Sequence, residues 1–212
     1  MYKPLYSAQT NKDSLHSFID ENSFGTVICR GVHPALEITH IPFLLDKSTG
    51  MNGTLLSHVA RSNPISKSLA SSDEVVVIFQ GPHGYISPSW YSSRAEVPTW
   101  NYSVVHAYGR PRLLHDAELI KQLERLVDKY EHENRNRWRI SELKASFFDQ
   151  LRKEIVGFAI EIIRLEGKFK LSQNRNLEDR QGVIEGIVKR GNPLDSELAA
   201  MMKKALSNDY EK

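Results

Sequence analysis

The stretch Glu74-Val-Val-Val-Ile-Phe-Gln80 decides the fold class, because its five central residues are apolar and four of them are β-branched. Such residues favour strands, and an apolar run without alternation predicts a strand buried on both faces. The following Gly81-Pro-His-Gly84 predicts a break, after which the strand resumes at Tyr85. Outward from this run, further strands are predicted at residues 24–30, 35–45, 54–60, 99–114, 155–165 and 168–171. The 99–114 strand is expected to be interrupted near Gly109 and Pro111, and a turn at Gly167 is expected to separate the last two.

Helices are predicted around these strands, at residues 12–22, 63–70, 116–133, 141–153, 177–189 and 196–206. Pro42 cannot donate to a strand ladder, so the 35–45 strand is expected at a sheet edge or with a bulge. Local turns and peripheral helices, without βαβ alternation, predict an α+β, mainly β fold with a β-barrel core. We expect a barrel domain over residues 1–171, and a helical C-terminal extension over 172–212 that packs on the barrel or on a partner subunit.

Composition excludes several classes of protein. The 212 residues are 40% hydrophobic and 25% charged, which is globular and excludes wholesale disorder. Lys and Arg total 28 against 26 Asp and Glu, a balance that does not by itself indicate a nucleic-acid-binding protein. The single cysteine, Cys29, excludes an internal disulfide and a multi-cysteine zinc site. Without a signal-peptide core or an apolar stretch of spanning length, we expect a soluble cytoplasmic protein.

The common catalytic motifs are missing from the sequence. There is no GxSxG nucleophile elbow, no GxGxxG or GxxxxGK[ST] loop, and no HExxH. Five histidines lie 7 to 25 residues apart, at positions His33, His40, His58, His83 and His106. This spacing predicts no metal site, and the catalytic residues stay unknown. A histidine as an axial ligand of haem stays open, because no position stands out.

The segment Thr54-Leu-Leu-Ser-His-Val-Ala-Arg-Ser-Asn-Pro64 is the strongest candidate for a binding site. A strand carries Ser57 and His58 near its end, Arg61 follows, and Asn63-Pro64 begins a helix. A hydroxyl, an imidazole, a guanidinium and helix N–H groups near one point are the donors that hold a phosphate. The alternative is a structural strand–helix corner with a solvated arginine.

An aromatic cluster surrounds a proline-rich loop and comprises Trp90, Tyr91, Trp100 and Tyr102. These rings either form a lid on the core or stack on a planar ligand. Strand alternation directs Trp100 and Tyr102 to one face, and Asn101 with Ser103 to the other.

DNA binding has little support in the sequence. Asn134-Arg-Asn-Arg-Trp-Arg139 is the one cluster that is both basic and aromatic, and it follows two glutamates, which favours a solvated loop. The connection over residues 190–195 is longer than the turn of a helix-turn-helix motif. The last helix opens with Glu197, which would repel phosphate, so no base-reading helix is recognisable. Its apolar face is expected to pack on the body or on a second subunit; this face comprises Leu198, Met201, Met202 and Ala205.

Several runs resemble the PaiB-type transcriptional regulators, and the resemblance extends over essentially the whole chain. Gln80-Gly-Pro-His-Gly-Tyr-Ile-Ser87 and Val97-Pro-Thr-Trp-Asn-Tyr102 are the most specific of these runs. The others are Asn22-Ser-Phe-Gly-Thr-Val27, Thr39-His-Ile-Pro42, Ser89-Trp-Tyr91, Val105-His106 with Gly109, and Lys170-Leu-Ser-Gln-Asn174. The family is similar to the FMN-binding split-barrel flavoproteins, whose members are usually homodimers with the flavin in the cleft between subunits.

The resemblance implies FMN as cofactor, a homodimer, and negative regulation of protease synthesis and sporulation, as described for bacilli. It implies phosphate ligands at Thr39, His40, Ser57, His58 and Arg61, and a flavin ring along Ile41 and Pro42. From the other subunit it implies ring contacts by Trp90, Trp100 and Asn101. Two functions stay open: an FMN-binding repressor, with DNA as a partner that no reading helix supports, or a small flavin-dependent or haem-handling enzyme whose regulatory effect is indirect.

Overall fold

The computed structural model describes residues 1–31, 36–93 and 95–210, with side chains up to residue 207. His33, one of the histidines considered above, lies outside the described residues. The chain divides into two compact units. The first unit comprises Met1–Leu15, Gln80–Val105 and Glu166–Lys212, and the second comprises His16–Phe79 and His106–Leu165.

Eight strands in the described residues form one sheet. They are β1 (Ala8–Gln9), β2 (Phe24–Arg30), β3 (Leu36–Pro42), β4 (Leu44–Asp46), β5 (Thr54–Ala60), β6 (Val75–Ile86), β7 (Thr99–Leu113) and β8 (Ile155–Lys170). The order is β3-β2-β6-β7-β8-β5-β4, with β1 paired to β8. Because β3 and β4 end the path, the sheet does not close, as in a split barrel. The edge position of β3 agrees with the prediction from Pro42.

Six helices accompany the sheet and give the α+β, mainly β class that the sequence predicts. They are α1 (Lys12–Glu21), α2 (Ile65–Ser71), α3 (Asp116–Glu131), α4 (Ala145–Lys153), α5 (Leu177–Arg190) and α6 (Asp195–Tyr210). Short 3₁₀ helices lie at Leu5–Ser7, Pro88–Trp90 and Ile140–Glu142. None of the helices in the described part of the chain is both long and apolar enough to span a membrane.

Three predicted strand breaks are wrong. β6 runs without interruption through Gly81-Pro-His-Gly84, and β7 and β8 continue past Gly109 and Gly167. These two glycines serve close packing and do not break the strands. A Cβ on Gly109 would lie 2.2 Å from the carbonyl oxygen of Glu161, and one on Gly167 would lie 2.3 Å from the side chain of Leu15.

The core of the second unit lies on one face of β2, β6 and β8. Phe43 makes edge-to-face contacts with Phe79 and Phe158, at centroid distances of 5.7 and 6.2 Å. Along β6, Phe79 and two valines are buried, whereas Val76 and Ile78 between them are half-buried. The predicted burial of this strand on both faces is therefore wrong, since its other face carries no complete cover in the described chain.

The core of the first unit is formed by α5 and α6 with the neighbouring strands. Its buried residues are Ile86, Tyr91, Leu171, Val183, Ile184, Ile187, Leu198, Ala199 and Met202. Arg190 at the end of α5 pairs with buried Asp195 at the start of α6, with Nη2 to Oδ1 at 2.5 Å and Nε to Oδ2 at 2.9 Å. Arg190 also donates to the Tyr85 carbonyl at 2.6 Å, which fixes both helices to β6.

Candidate functional site

Two hydrogen bonds connect the strand–helix corner predicted as a phosphate site to β3. Ser57 on β5 donates its hydroxyl proton to the carbonyl oxygen of Pro42 at 2.6 Å. Asn63 donates from Nδ2 to the hydroxyl of Thr39 at 3.4 Å, and accepts from the N–H of Ile65, which begins α2. The Thr39 hydroxyl therefore keeps its proton for another acceptor, whereas the Ser57 proton is engaged.

His58 lies on the opposite face of β5 from Ser57, because successive side chains of a strand alternate. Ser57 is 1% exposed, and the imidazole of His58 is half-buried beside Gln122 of α3. Burial lowers the pKa of His58, and the nearby Gln122 carboxamide raises it by a smaller amount. His58 is therefore neutral at pH 7. Its Nδ1 and both amide atoms of Gln122 are buried, and none of them has a hydrogen-bond partner among the described residues.

Arg61 is anchored to the start of β8. Its Nε donates to the carbonyl of Lys153 at 2.7 Å and its Nη2 to the carbonyl of Ile155 at 2.9 Å. The backbone pairing of Ala60 with Ile155 causes this contact, because it brings the end of β5 beside the end of α4. The Nη1 of Arg61 makes no hydrogen bond with the described residues.

A cavity of about 210 Å³ opens beside Arg61 and is lined by Arg152, Lys153 and Asp116. Arg152 has a side chain that is 16% exposed and pairs with two carboxylates, its Nη1 with Asp116 at 2.5 Å and its Nη2 with Asp149 at 3.3 Å. Its Nε is buried and has no hydrogen-bond partner among the described residues. Leu114, Leu119 and Gly157 form the apolar side of the cavity. The sequence reasoning missed Arg152 and Lys153. The sequence carries no local signal for them, because their place beside Arg61 depends on the pairing of β5 with β8.

On β3 the candidate residues divide between two faces. Thr39 and Ile41 lie opposite Val27 and Gly25 of β2, whereas His40 is exposed and lies opposite Thr26. His40 and Thr39 therefore cannot contact one small group from the same side of the strand.

Of the three predicted ring contacts, Trp100 is the most open. It is 52% exposed, and its ring centroid lies 5.9 Å from that of His83 and 6.4 Å from that of Tyr85. Asn101 is fully buried and donates to the hydroxyl of Ser172 at 2.9 Å. Trp90 packs against α5, with the guanidinium of Arg190 at 5.4 Å from its ring.

Residues 1–164 match the family model described as "Putative FMN-binding domain". The chain belongs to this family. The Bacillus subtilis "Protease synthase and sporulation protein PAI 2" is 38% identical over 206 residues, covering 97% of this chain and 98% of the relative. The predicted resemblance to the PaiB-type proteins is thus confirmed. An uncharacterized protein of Emericella nidulans is 34% identical over 230 residues, covering 90% and 92% of the two chains.

Solved structures confirm the split-barrel fold of this FMN-binding family member. The FAD- and heme-binding protein of Mycobacterium smegmatis superposes with a TM-score of 0.61 at 17% identity, covering 82% of this chain and 78% of that chain. The flavocytochrome Anf3 of Azotobacter vinelandii gives a TM-score of 0.61 at 16% identity, covering 83% and 75%. At this identity the likeness concerns the fold alone.

Family membership makes FMN the expected cofactor, and the donor set of the cavity fits its phosphate. A phosphate dianion accepts several charge-assisted hydrogen bonds, preferably from guanidinium groups. The Nη1 of Arg61 is a donor of this kind at the cavity, and Lys153 together with the Arg152 guanidinium, which is paired with Asp116 and Asp149, adds positive charge.

Proposed function

We propose that this protein is a homodimeric, FMN-binding transcriptional regulator of the PaiB type that acts negatively and works in the cytoplasm. The observation that carries the proposal is the cavity at the β5–β8 junction, which is lined by Arg61, Arg152 and Lys153. A net positive cavity at the end of a strand is suited to the phosphate of FMN, because guanidinium groups neutralise the charge of the phosphate and fix its orientation.

Each candidate residue then has a role in holding the cofactor. Arg61 binds the phosphate, Arg152 adds positive charge beside it while paired with Asp116, and Thr39 supplies a hydroxyl donor. Ser57 holds the Pro42 carbonyl, which fixes the strand backbone at Ile41 and Pro42 along which the ring lies. Neutral His58 and exposed His40 contribute imidazole donors on the other face of their strands. When bound, FMN supplies redox chemistry through its isoalloxazine ring.

The uncovered face of the second unit supports a homodimer. The register pairs Ile38 with Ile28 and Ile28 with Val76, so these three side chains form one row across β3, β2 and β6. Ile38 is 55% exposed, and neighbouring Phe24 on the same face is 66% exposed. Exposed apolar patches of this kind mark interfaces. We propose, as the resemblance implies, that Trp90, Trp100 and Asn101 of a second copy contribute to the ring site.

Comparing FMN with riboflavin tests the phosphate site, because riboflavin is the same ring and ribityl chain without the phosphate. Arg61→Ala should weaken FMN binding at least tenfold, about 1.4 kcal/mol, and leave riboflavin affinity unchanged. Arg110→Ala, at an exposed arginine of β7, is the matched control. Equal loss for both flavins would indicate damage to the fold, and an unchanged FMN affinity would remove Arg61 from the site.

A charge in the apolar row tests the dimer. Ile38→Lys should convert the protein to a monomer in sedimentation velocity, because a lysine at the centre of an apolar interface is costly. The monomer should release FMN. Flavin retained by a verified monomer would refute the shared cleft.

The second candidate function is a small flavin-dependent oxidoreductase, or a haem-handling split-barrel enzyme, with an indirect regulatory effect. It is favoured by the burial of the apolar faces of α5 and α6 within the first unit, which leaves neither helix as a simple base-reading element. Anaerobic reduction of bound FMN by NADPH, compared with binding of promoter DNA at low salt, separates the two. Fast reduction without DNA binding would favour the enzyme.

A further inference from the structure

One face of the sheet in the first unit carries aromatic residues beside lysines. On β6 and β7, His83, Tyr85 and Trp100 form a connected group of rings. Lys168 and Lys170 lie on β8, the neighbour of β7. Strand alternation puts Trp100 and Tyr102 on this face, while Asn101 faces the core formed with α6.

Lys168 is a buried cation that has no acidic partner among the described residues. The residue is only 8% exposed, and its Nζ lies 5.3 Å from the ring of Tyr2 and 5.4 Å from the ring of Tyr102. Among the described residues, no carboxylate lies within ion-pair distance of it. Lysine is seldom buried unless it is paired, and the tyrosine faces compensate only part of the lost hydration.

Lys170 is a second cation that has no carboxylate partner among the described residues. Its Nζ donates to the hydroxyl of Thr99 and to the carbonyl of Trp100, the latter at 2.6 Å, which leaves one of its three protons. Burial and the charges of Lys168 and Arg175 lower the pKa of Lys170.

The acidic residues of this region are already engaged. Glu96 pairs with Arg175 at 2.6 Å. Glu166 accepts from the amino group of Met1 at 2.8 Å. The two lysines therefore face no compensating carboxylate of the described chain, and a negative charge from a ligand would relieve their mutual repulsion.

We propose that Lys168 and Lys170 bind the carboxylate or phosphate group of a small organic anion beside Trp100. The proposed binding of the anion depends on these lysines alone. The interpretation of the anion as a substrate or effector beside the flavin ring rests on the proposed function. A small molecule is favoured over a nucleic acid strand, because His83 and Tyr85 both pack against Trp100 and the three rings form one cluster. Successive bases would need separate stacking surfaces.

The probes are benzoate, benzamide, acetate and inorganic phosphate, titrated into flavin-free protein by calorimetry and by tryptophan fluorescence. Benzoate and benzamide share a ring and differ in charge. Benzoate should bind at least tenfold more tightly than benzamide and change the fluorescence, and this change should vanish in Trp100→Phe. Comparison of acetate with phosphate shows which anionic group the site prefers.

Lys168→Met and Lys170→Met should each lower benzoate affinity at least tenfold, while Lys203→Gln on exposed α6 leaves it unchanged. Because Lys168→Met removes an unpaired buried charge, its Tm should be equal to or above that of the parent, which separates loss of binding from loss of fold.

Three results would overturn the proposal. The first is equal affinity for benzoate and benzamide, and the second is full benzoate affinity in both lysine variants. The third is an absence of benzoate binding in a protein whose dimerisation requires Lys168. The last result would mean that a carboxylate of a second copy pairs with the lysine. Arg61→Ala separates this proposal from the proposed function, since it should lose FMN and keep benzoate. If the parent protein does not bind FMN but does bind benzoate, only the proposed flavin site is overturned.

Discussion

Replacing Gln122 by methionine is expected to stabilise the protein, although it removes a polar side chain. Gln122 is 2% exposed on α3, and neither its amide nitrogen nor its amide oxygen meets a hydrogen-bond partner. The adjacent Nδ1 of His58 is also unpaired. Methionine has a similar length and helix propensity, so the substitution removes two unsatisfied atoms with little change in shape.

The magnitude follows from the cost of burying unpaired polar atoms, about 1–3 kcal/mol for such a group. Methionine places apolar atoms in the same volume, so most of this cost should be recovered. For a chain of this size, 1 kcal/mol corresponds to roughly 2–4 °C in Tm. His58 remains neutral near pH 8 in both proteins, because burial lowers its pKa and the loss of Gln122 removes a contribution that raises it.

Thermal and urea unfolding at pH 8 measure the effect. Gln181→Met on the exposed face of α5 is the matched control and should change stability by less than about 0.5 kcal/mol. A destabilisation of Gln122→Met by about 1 kcal/mol or more would refute the reasoning, because the carboxamide would then have a partner such as a buried water.

Three further predictions concern stability and reactivity. Gly186→Ala should lower Tm despite the better helix propensity of alanine, because its Cβ would lie 2.3 Å from the Trp90 ring; an unchanged Tm would contradict this packing. Asp195→Asn should lower the free energy of unfolding by about 3 kcal/mol at pH 7. The Arg190 guanidinium lowers the pKa of Asp195 below its usual 3.8. The difference in unfolding free energy between the two proteins should therefore persist above pH 3.8 and vanish as the pH falls through the lower pKa of the folded state. A pH-independent difference would exclude the ion pair as its cause. Cys29 is buried and its thiol pKa is raised, so Ellman's reagent should react fast only in denaturant, and stoichiometric reaction of the native protein would show an accessible thiol.

The strands and helices were predictable because local signals and packing agree over most of the chain. β2 and β5 have the predicted bounds, and α1 differs by one residue. At Gly84, Gly109 and Gly167 the sequence indicates turns and the strands continue. The predicted 35–45 strand is also wrong, because the structure divides it into β3 and β4 at opposite ends of the sheet order. Glycine breaks a strand when the backbone needs an unusual conformation, but it also allows a neighbouring element to approach closely. Only the position of that neighbour distinguishes the two cases.

The candidate site was predictable as a region and not as a set of contacts. Arg61 could be chosen because a strand–helix corner and a guanidinium occur together in the sequence. Arg152, which lines the same cavity, is 91 residues away, and its position beside Arg61 depends on the β5–β8 pairing, which local patterns do not specify. Alternation along β5 would have shown that Ser57 and His58 face opposite sides, a constraint available without coordinates.

The arrangement of the C-terminal helices bears on how such a protein could regulate transcription. Leu198 and Met202 of α6 are buried against Val183 and Ile187 of α5, and the Arg190–Asp195 pair joins the two helices. Inserting either helix into a DNA groove through its apolar side would require separation of this core. Contact through the solvent face of α6 would present Glu197 and few cations. Any direct effect on DNA is therefore expected from another surface or from a partner, and not from insertion of α5 or α6 through their apolar sides.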